Sequence, residues 1–202
     1  FTRGDGVYKY TYDNAPYKAY KLYPSKYQQP AVPRPFSSFG VAKLGVVKKM
    51  IGTLSDEFEV NLPAREAWAL YGTLQFTYIC VPDLFDKVDV LEGDGGPGTI
   101  LQPFTKPGAL FYTYEDEISK VDDENMVKEV RAHKGGYLSL GFNSYGVRFE
   151  VIKKSENSCI TKVTVHYDVK EGFIHNTTQV SIEPFTTLVK YSNNYLINNH
   201  KK

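Results

Sequence analysis

Two hydrophobic periods, one following the other, constrain this chain more than any other feature. From about Thr53 to Val169 apolar residues recur at alternate positions. From 180 to 199 they recur at helical spacing instead. The clearest strand runs over 159–169, with Val163, Val165, Tyr167 and Val169 on one face and Lys162, Thr164, His166, Asp168 and Lys170 on the other; strict alternation marks a half-buried strand. Phe58, Val60 and Leu62 alternate in the same way with Glu57, Glu59 and Asn61. Pro63 then opens a short helix, Ala64 to Tyr71, at a position where the missing N–H costs nothing, with Trp68 on its apolar side. A second helical stretch around Leu74–Val81 stops at Pro82. A strand at Val88 and Val90 and further strands near 98–104, 110–120, 124–133 and 136–152 complete the set. Ile182, Phe185, Val189 and Leu196 share the apolar face of the closing helix, with Ser192 as a gap in it. The expectation is an α+β domain: a seven-stranded, strongly curved antiparallel sheet wrapped around a long C-terminal helix, with two short helices after the first strand. One helix cannot fill such a sheet, so an internal hydrophobic cavity is expected, and small-molecule sites favour such places.

The charge is divided unevenly. The 202 residues carry a formal net charge of +1, yet residues 1–50 hold nine lysines and arginines against only Asp5 and Asp13. Seven tyrosines lie between Tyr8 and Tyr27, and Pro16, Pro24, Pro30, Pro33 and Pro35 bias the backbone to extended conformations. The expected organisation is a basic, tyrosine-rich extended arm over 1–50 and a cavity-forming domain over 51–202. The arm's charge suits docking on an acidic body, its own or a neighbour's, so a homo-oligomer formed through the arm is an expectation and nucleic acid is not an expected partner. No run approaches the roughly 18 apolar residues of a membrane-spanning helix. Cys80 and Cys159 read as buried free thiols, and His133, His166, His175 and His200 lack ligand spacing, so no metal is expected. Asn176-Thr177-Thr178 is a glycosylation sequon, usable if Phe1 follows a cleaved signal peptide and the chain enters the secretory pathway or vacuole; otherwise the reading is cytoplasmic.

The run Glu92-Gly93-Asp94-Gly95-Gly96-Pro97-Gly98 lacks the lysine-serine/threonine ending of a phosphate loop and precedes a strand, so it reads as a tight hairpin whose glycines take positive φ. In the strand near 110–120, Tyr112, Tyr114, Asp116, Ile118 and Lys120 share one face; in the next, Met126, Lys128, Val130 and Ala132 do. A hairpin centred near Asp122 would place Asp116 directly opposite Lys128, either as acid–base chemistry or as a structural ion pair. A carboxylate among tyrosines in a cavity would have its pKa raised by desolvation. Tyr112, Met126, Val130, Tyr145, Val147, Phe185 and Val189 are the expected walls and substrate contacts.

The glycine run with Thr99-Ile100 after it resembles the birch-pollen-allergen superfamily, which includes the class-10 pathogenesis-related plant proteins. Lys128-Glu129-Val130, then Gly135-Gly136-Tyr137-Leu138 with Gly141, then Ser158-Cys159-Ile160, resemble its norcoclaurine synthase branch over roughly 50–200, and Arg34-Pro35-Phe36 resembles a pre-domain extension of some of these synthases. The resemblance implies that Tyr114, Asp116 and Lys128 are catalytic, Asp116 standing where the branch has glutamate and Val147 where it has aspartate. It implies a cofactor-free Pictet–Spengler condensation of a dopamine-like arylethylamine with an arylacetaldehyde, as in benzylisoquinoline alkaloid biosynthesis, with small aromatic molecules as partners. Two other functions fit the same residues: non-catalytic storage of hydrophobic plant metabolites as a defence protein, and an alkaloid isomerase.

Overall fold

A computed structural model describes residues 50–79 and 84–200. The basic arm with its tyrosines and prolines, Cys80 and the expected helix end at Val81-Pro82 lie outside the described residues. In chain order the elements are β1 (Met50–Val60), α1 (Ala64–Tyr71), α2 (Gln75–Ile79), β2 (Phe85–Glu92), β3 (Ile100–Thr105), β4 (Tyr114–Asp122), β5 (Val127–Gly135), α3 (Gly136–Ser139), β6 (Phe142–Lys153), β7 (Cys159–Val169), a 3-10 helix (Glu171–Gln179) and α4 (Glu183–His200). All neighbouring strands run antiparallel, in the order β1-β7-β6-β5-β4-β3-β2.

The strongly curved, wrapped sheet expected from the periodicity is not what forms. A sheet curls shut only when its two edges find each other, and here β1 and β2 remain the edges of an open sheet, unpaired with one another among the described residues. The chain between them is two helices rather than a hairpin. The ladder is also thin toward β2: β3 and β4 pair through only Ile100↔Glu117 and Leu101↔Asp116, plus an isolated bridge from Phe104 to Thr113. Alternation along one strand specifies its faces and says nothing about the bend between strands, so curvature was not readable from it.

Burial follows the two periods. Inward residues of β6 and β7, among them Val147, Phe149, Val151, Val163 and Val165, pack against the apolar stripe of α1, where Ala64, Ala67, Trp68 and Tyr71 are buried. Pro63 sits at the cap position rather than inside α1. Cys159 is buried and free, and burial pushes its thiol up to about 11, so it is an unreactive core residue. The gap expected at Ser192 is fully buried, and Asn193 beside it is buried too. Tyr71 Oη donates to Asn193 Oδ1 (2.9 Å) and Asn193 Nδ2 donates to Thr161 Oγ1 (2.8 Å), a chain that fixes α4 against α1 and β7.

Two strands begin later than alternation suggested. Gly135, Gly136 and Gly141 all take positive φ, which turns the expected start of the 136–152 strand into α3 and delays β6 to Phe142. The expected 110–120 strand begins at Tyr114, after a bend at Tyr112.

Candidate functional site

The β4–β5 hairpin carries the candidate chemistry, and its register differs from simple alternation. The turn closes on Asp122↔Val127, with Asp122 Oδ1 accepting from the Asn125 backbone N–H (3.0 Å) and Met126 in the left-handed region at φ 53. Trp68 Nε1 donates to Asp123 Oδ1 (2.8 Å) and Arg65 donates to the Asp123 carbonyl (2.9 Å), so α1 holds the turn in place. The ladder then skips Ser119 on β4 and His133 on β5. Each such bulge adds one residue and flips the alternation beyond it. The turn itself is centred between Glu124 and Asn125 and not at Asp122, which sets Lys128 against Val121, and the bulge at Ser119 sets Asp116 against Ala132. The direct Asp116–Lys128 opposition expected from a hairpin centred at Asp122 does not occur. Lys120 leaves the inner face with it and pairs at the surface with Asp122 (3.0 Å).

Lys128 and Asp116 nevertheless line the same space. A cavity of about 130 Å³ lies between the inner face of the sheet and the helices α2 and α4. Of the residues expected there, Tyr114, Asp116, Lys128, Val130, Tyr145, Val147 and Phe185 line it. Tyr112, Met126 and Val189 do not: Tyr112 is exposed because strand parity does not carry across the bend before Tyr114, Met126 belongs to the turn and packs against the core, and Val189 is sealed in the core. Alternation missed Phe111, which takes the inward position in place of Tyr112, as well as Phe76 and Thr77 of α2 and Tyr137 of α3. The Gly135-Gly136 pair was the available signal for Tyr137, since two adjacent positive-φ residues break a strand and re-aim the next side chain.

Lys128 and Asp116 sit four residues apart in register, roughly 13 Å along the strands at the usual rise per residue. Lys128 is 1% exposed; Nζ donates to the Thr73 carbonyl (2.9 Å) and makes no ion pair among the described residues. Burial lowers its pKa to about 8. Asp116 is half-buried and lines the cavity, and burial raises its pKa to about 7. An ion pair would push the lysine up and the aspartate down; both move the other way. These are two separately desolvated groups rather than a structural couple. Tyr114 is raised by burial first, then by the charge of Asp116 and by Tyr137. Tyr137 stacks on Tyr145 (4.0 Å between ring centroids) and donates to the Gln179 carbonyl (2.9 Å).

The glycine-rich run connects β2 to β3 and uses its N–H groups internally. Gly95 N–H donates to Thr99 Oγ1 (2.8 Å), Gly96 N–H to Asp94 Oδ1 (3.2 Å) and Gly98 N–H to the Ile118 carbonyl (2.8 Å), so these donors are not available to a phosphate. Gly93, Gly95 and Gly98 take positive φ. A Cβ on Gly95, at φ +108, would come within 2.9 Å of Leu74 Cγ, between α1 and α2. Gly95→Ala is therefore expected to destabilise the fold by about 1–2 kcal/mol, a fall of roughly 3–6 °C in Tm by calorimetry. No group of three or more potential ligands that could hold a metal occurs among the described residues. Asn176 Nδ2 donates to the Leu140 carbonyl (2.7 Å) from within the 3-10 helix, so the sequon nitrogen is engaged in the fold. No helix among the described residues is long and apolar enough to cross a membrane.

The family model for the pathogenesis-related protein Bet v 1 family matches residues 49–199, which take in this sheet, the cavity and the closing helix up to its last residue but one. The chain belongs to the Bet v 1 family. Within that family it is closely related to the norcoclaurine and norbelladine synthases. It is 40% identical over 140 residues to norbelladine synthase of Narcissus pseudonarcissus, covering 67% of this chain and 86% of that protein. It is 30% identical over 160 residues to S-norcoclaurine synthase 2 of Papaver somniferum, covering 77% and 68%. Among solved Bet v 1 relatives, norcoclaurine synthase of Thalictrum flavum in complex with dopamine and hydroxybenzaldehyde superposes with a TM-score of 0.69 at 25% identity, covering 82% of this chain and 98% of that one. A point mutant of the same enzyme bound to a transition-state analogue gives 0.71 at 28% identity, covering 77% and 99%.

Proposed function

We propose that the protein condenses an arylethylamine with an aromatic aldehyde by a Pictet–Spengler route, without a cofactor. One observation carries this reading: a lysine and an aspartate, each desolvated and neither paired with the other, stand apart along one aromatic cavity. The reaction needs an acid and a base that do not neutralise each other. The amine adds to the aldehyde carbonyl to form a carbinolamine. The Lys128 ammonium donates a proton to its hydroxyl, which leaves as water and yields the iminium. Asp116 takes a phenolic proton, and the electron-rich ring carbon attacks the iminium carbon to close the new ring. The proton lost from that ring carbon passes to the Lys128 amine, restoring aromaticity and the ammonium, and Asp116 returns its proton to the phenolate oxygen. Tyr114, beside Asp116, orients the substrate hydroxyl and stabilises the charge that develops there. The relative solved with dopamine and hydroxybenzaldehyde supports the substrate class. Val147 and the aliphatic and aromatic walls around it also favour a second reading, storage of hydrophobic metabolites.

Incubation with a panel of arylethylamines against arylacetaldehydes and benzaldehydes tests both. The condensation product has the summed mass of the pair less one water and, unlike the isomeric imine, gains no hydrogen on borohydride treatment. Saturable binding of both substrates with no such product above the buffer rate would overturn the condensation and leave storage.

A further inference from the structure

The Lys128 side chain raises a problem that the proposed reaction does not solve. An ammonium 1% exposed, in a cavity walled by aliphatic and aromatic groups and with no carboxylate of the described residues in ion-pair contact, has lost its water without gaining a counter-charge among them. Isolated buried charges are costly, and a lysine left to itself in such a place discards its proton. Two contacts in the structure oppose this, and both come from the same corner of the fold. The Thr73 carbonyl accepts from Nζ at 2.9 Å. The Phe76 ring centroid lies 5.9 Å from Nζ, within the range at which the electron-rich ring face attracts a cation.

We infer that the α1–α2 corner is the seat of the Lys128 ammonium, with Phe76 as a positioning residue that keeps the amine charged and aimed through its ring face. The corner is built for this. The Gly72 and Thr73 N–H groups close the end of α1 on the Trp68 and Leu70 carbonyls, so the chain turns there and the Thr73 carbonyl is left facing Nζ. Phe76 is 2% exposed and clamped by two rings, stacked on Tyr71 (4.5 Å) and edge-on to Phe149 (4.9 Å). Phe149 is also the residue opposite Lys128 on β6, so ring and amine are fixed from one strand pair. With one N–H spent on Thr73 and one side turned to Phe76, the ammonium keeps donor capacity for a substrate oxygen.

Among the described residues the other ionisable groups of the cavity are Asp116 and Tyr114 on β4, Tyr137 on α3 and Tyr145 on β6; α2 and α4 contribute Phe76, Thr77, Phe185 and Leu188, none of them ionisable. None of the four is in hydrogen-bond or ion-pair contact with Nζ among the described residues, which leaves the corner as the local support of the charge.

Progressive fluorination of residue 76 separates charge from packing. The full-length protein carrying mono-, di- and trifluorinated phenylalanine at this position retains the ring's shape while draining its face of electron density. Lys128 is followed by NMR in protein with isotope-labelled lysine, its signal assigned by its disappearance in Lys128→Met. The expected result is a stepwise fall of the Lys128 titration midpoint, reaching about half a pH unit in the trifluorinated protein, with an unchanged Tm. Phe76→Leu should lower the midpoint by a similar amount. A midpoint constant across the fluorinated series, or one that moves only in step with a loss of Tm, overturns the inference. The inference concerns the lysine of the proposed condensation but is read without substrate. An active enzyme with an invariant midpoint sinks the seat alone, and a shifting midpoint in a protein that turns over nothing sinks the condensation alone.

Discussion

Lys128→Met is expected to lower kcat for the condensation by about 10³-fold, in the middle of the range for loss of a general acid, with a much smaller change in KM. The pH profile makes the test specific. The acid must be protonated and the base ionised, so the wild-type rate should rise as pH passes about 7, where Asp116 ionises, and fall as it passes about 8, where Lys128 loses its proton. The expected profile is a narrow bell between these values. In Lys128→Met the fall above pH 8 should vanish from the residual rate while the rise near 7 remains. A variant that retains both limbs, or wild-type activity, would show that the lysine takes no part as an acid.

Asp116→Asn should slow the reaction by 10²- to 10⁴-fold on the order expected for losing a general base, and should at the same time stabilise the protein at neutral and alkaline pH. The sign follows from the direction of the shift. The carboxyl binds its proton more tightly in the folded chain, at about 7, than in the unfolded chain at the ordinary 3.8, so its contribution is most favourable below about 4 and is lost as pH rises toward 7. Asparagine carries no such dependence. The gap between the two values, reduced by the solvent that reaches the cavity, corresponds to on the order of 2 kcal/mol. Melting curves of the two proteins should therefore coincide near pH 4 and diverge in favour of Asp116→Asn by pH 8. Equal melting temperatures at pH 8 would mean that the carboxylate is not desolvated and has no raised pKa to offer as a base.

These two results belong together because activity and stability oppose each other at this site. Holding a lysine and an aspartate in one apolar cavity without pairing them to each other costs folding free energy, and that cost is what brings their pKa values near neutrality. A direct ion pair would have been cheaper for the fold and useless for the reaction, since each partner would hold the other in its charged form.

How far the chain could be read before folding depends on the range of the physics involved. Burial alternates along a strand and around a helix through contacts that repeat every two or 3.6 residues, so a single pass along the chain reaches Val60, Val163 and Val165 in the core, Trp68 on the inner side of α1, and Tyr145 and Val147 on the inner side of β6. The same reasoning failed where one residue too many entered a ladder. The bulges at Ser119 and His133 shift the β4–β5 register and turn Lys120 outward, and the bend before Tyr114 exchanges Tyr112 for Phe111. Tyr137 and Phe76 escaped because each lies on a short helix whose placement is set by other elements rather than by its own few residues.

By itself, then, the sequence determined the order of the seven strands, the two helices after β1 and the closing helix, the inward face of most strands, the hairpin glycines and the motifs that mark the family, because each is written in neighbouring residues. Only the tertiary structure decided that the sheet stays open, that Lys128 and Asp116 share a cavity without touching, and that the ammonium rests against Thr73 and Phe76. Register and edge pairing are agreements between segments far apart in the chain. A single inserted residue reverses which side chains meet without altering the local pattern of either strand.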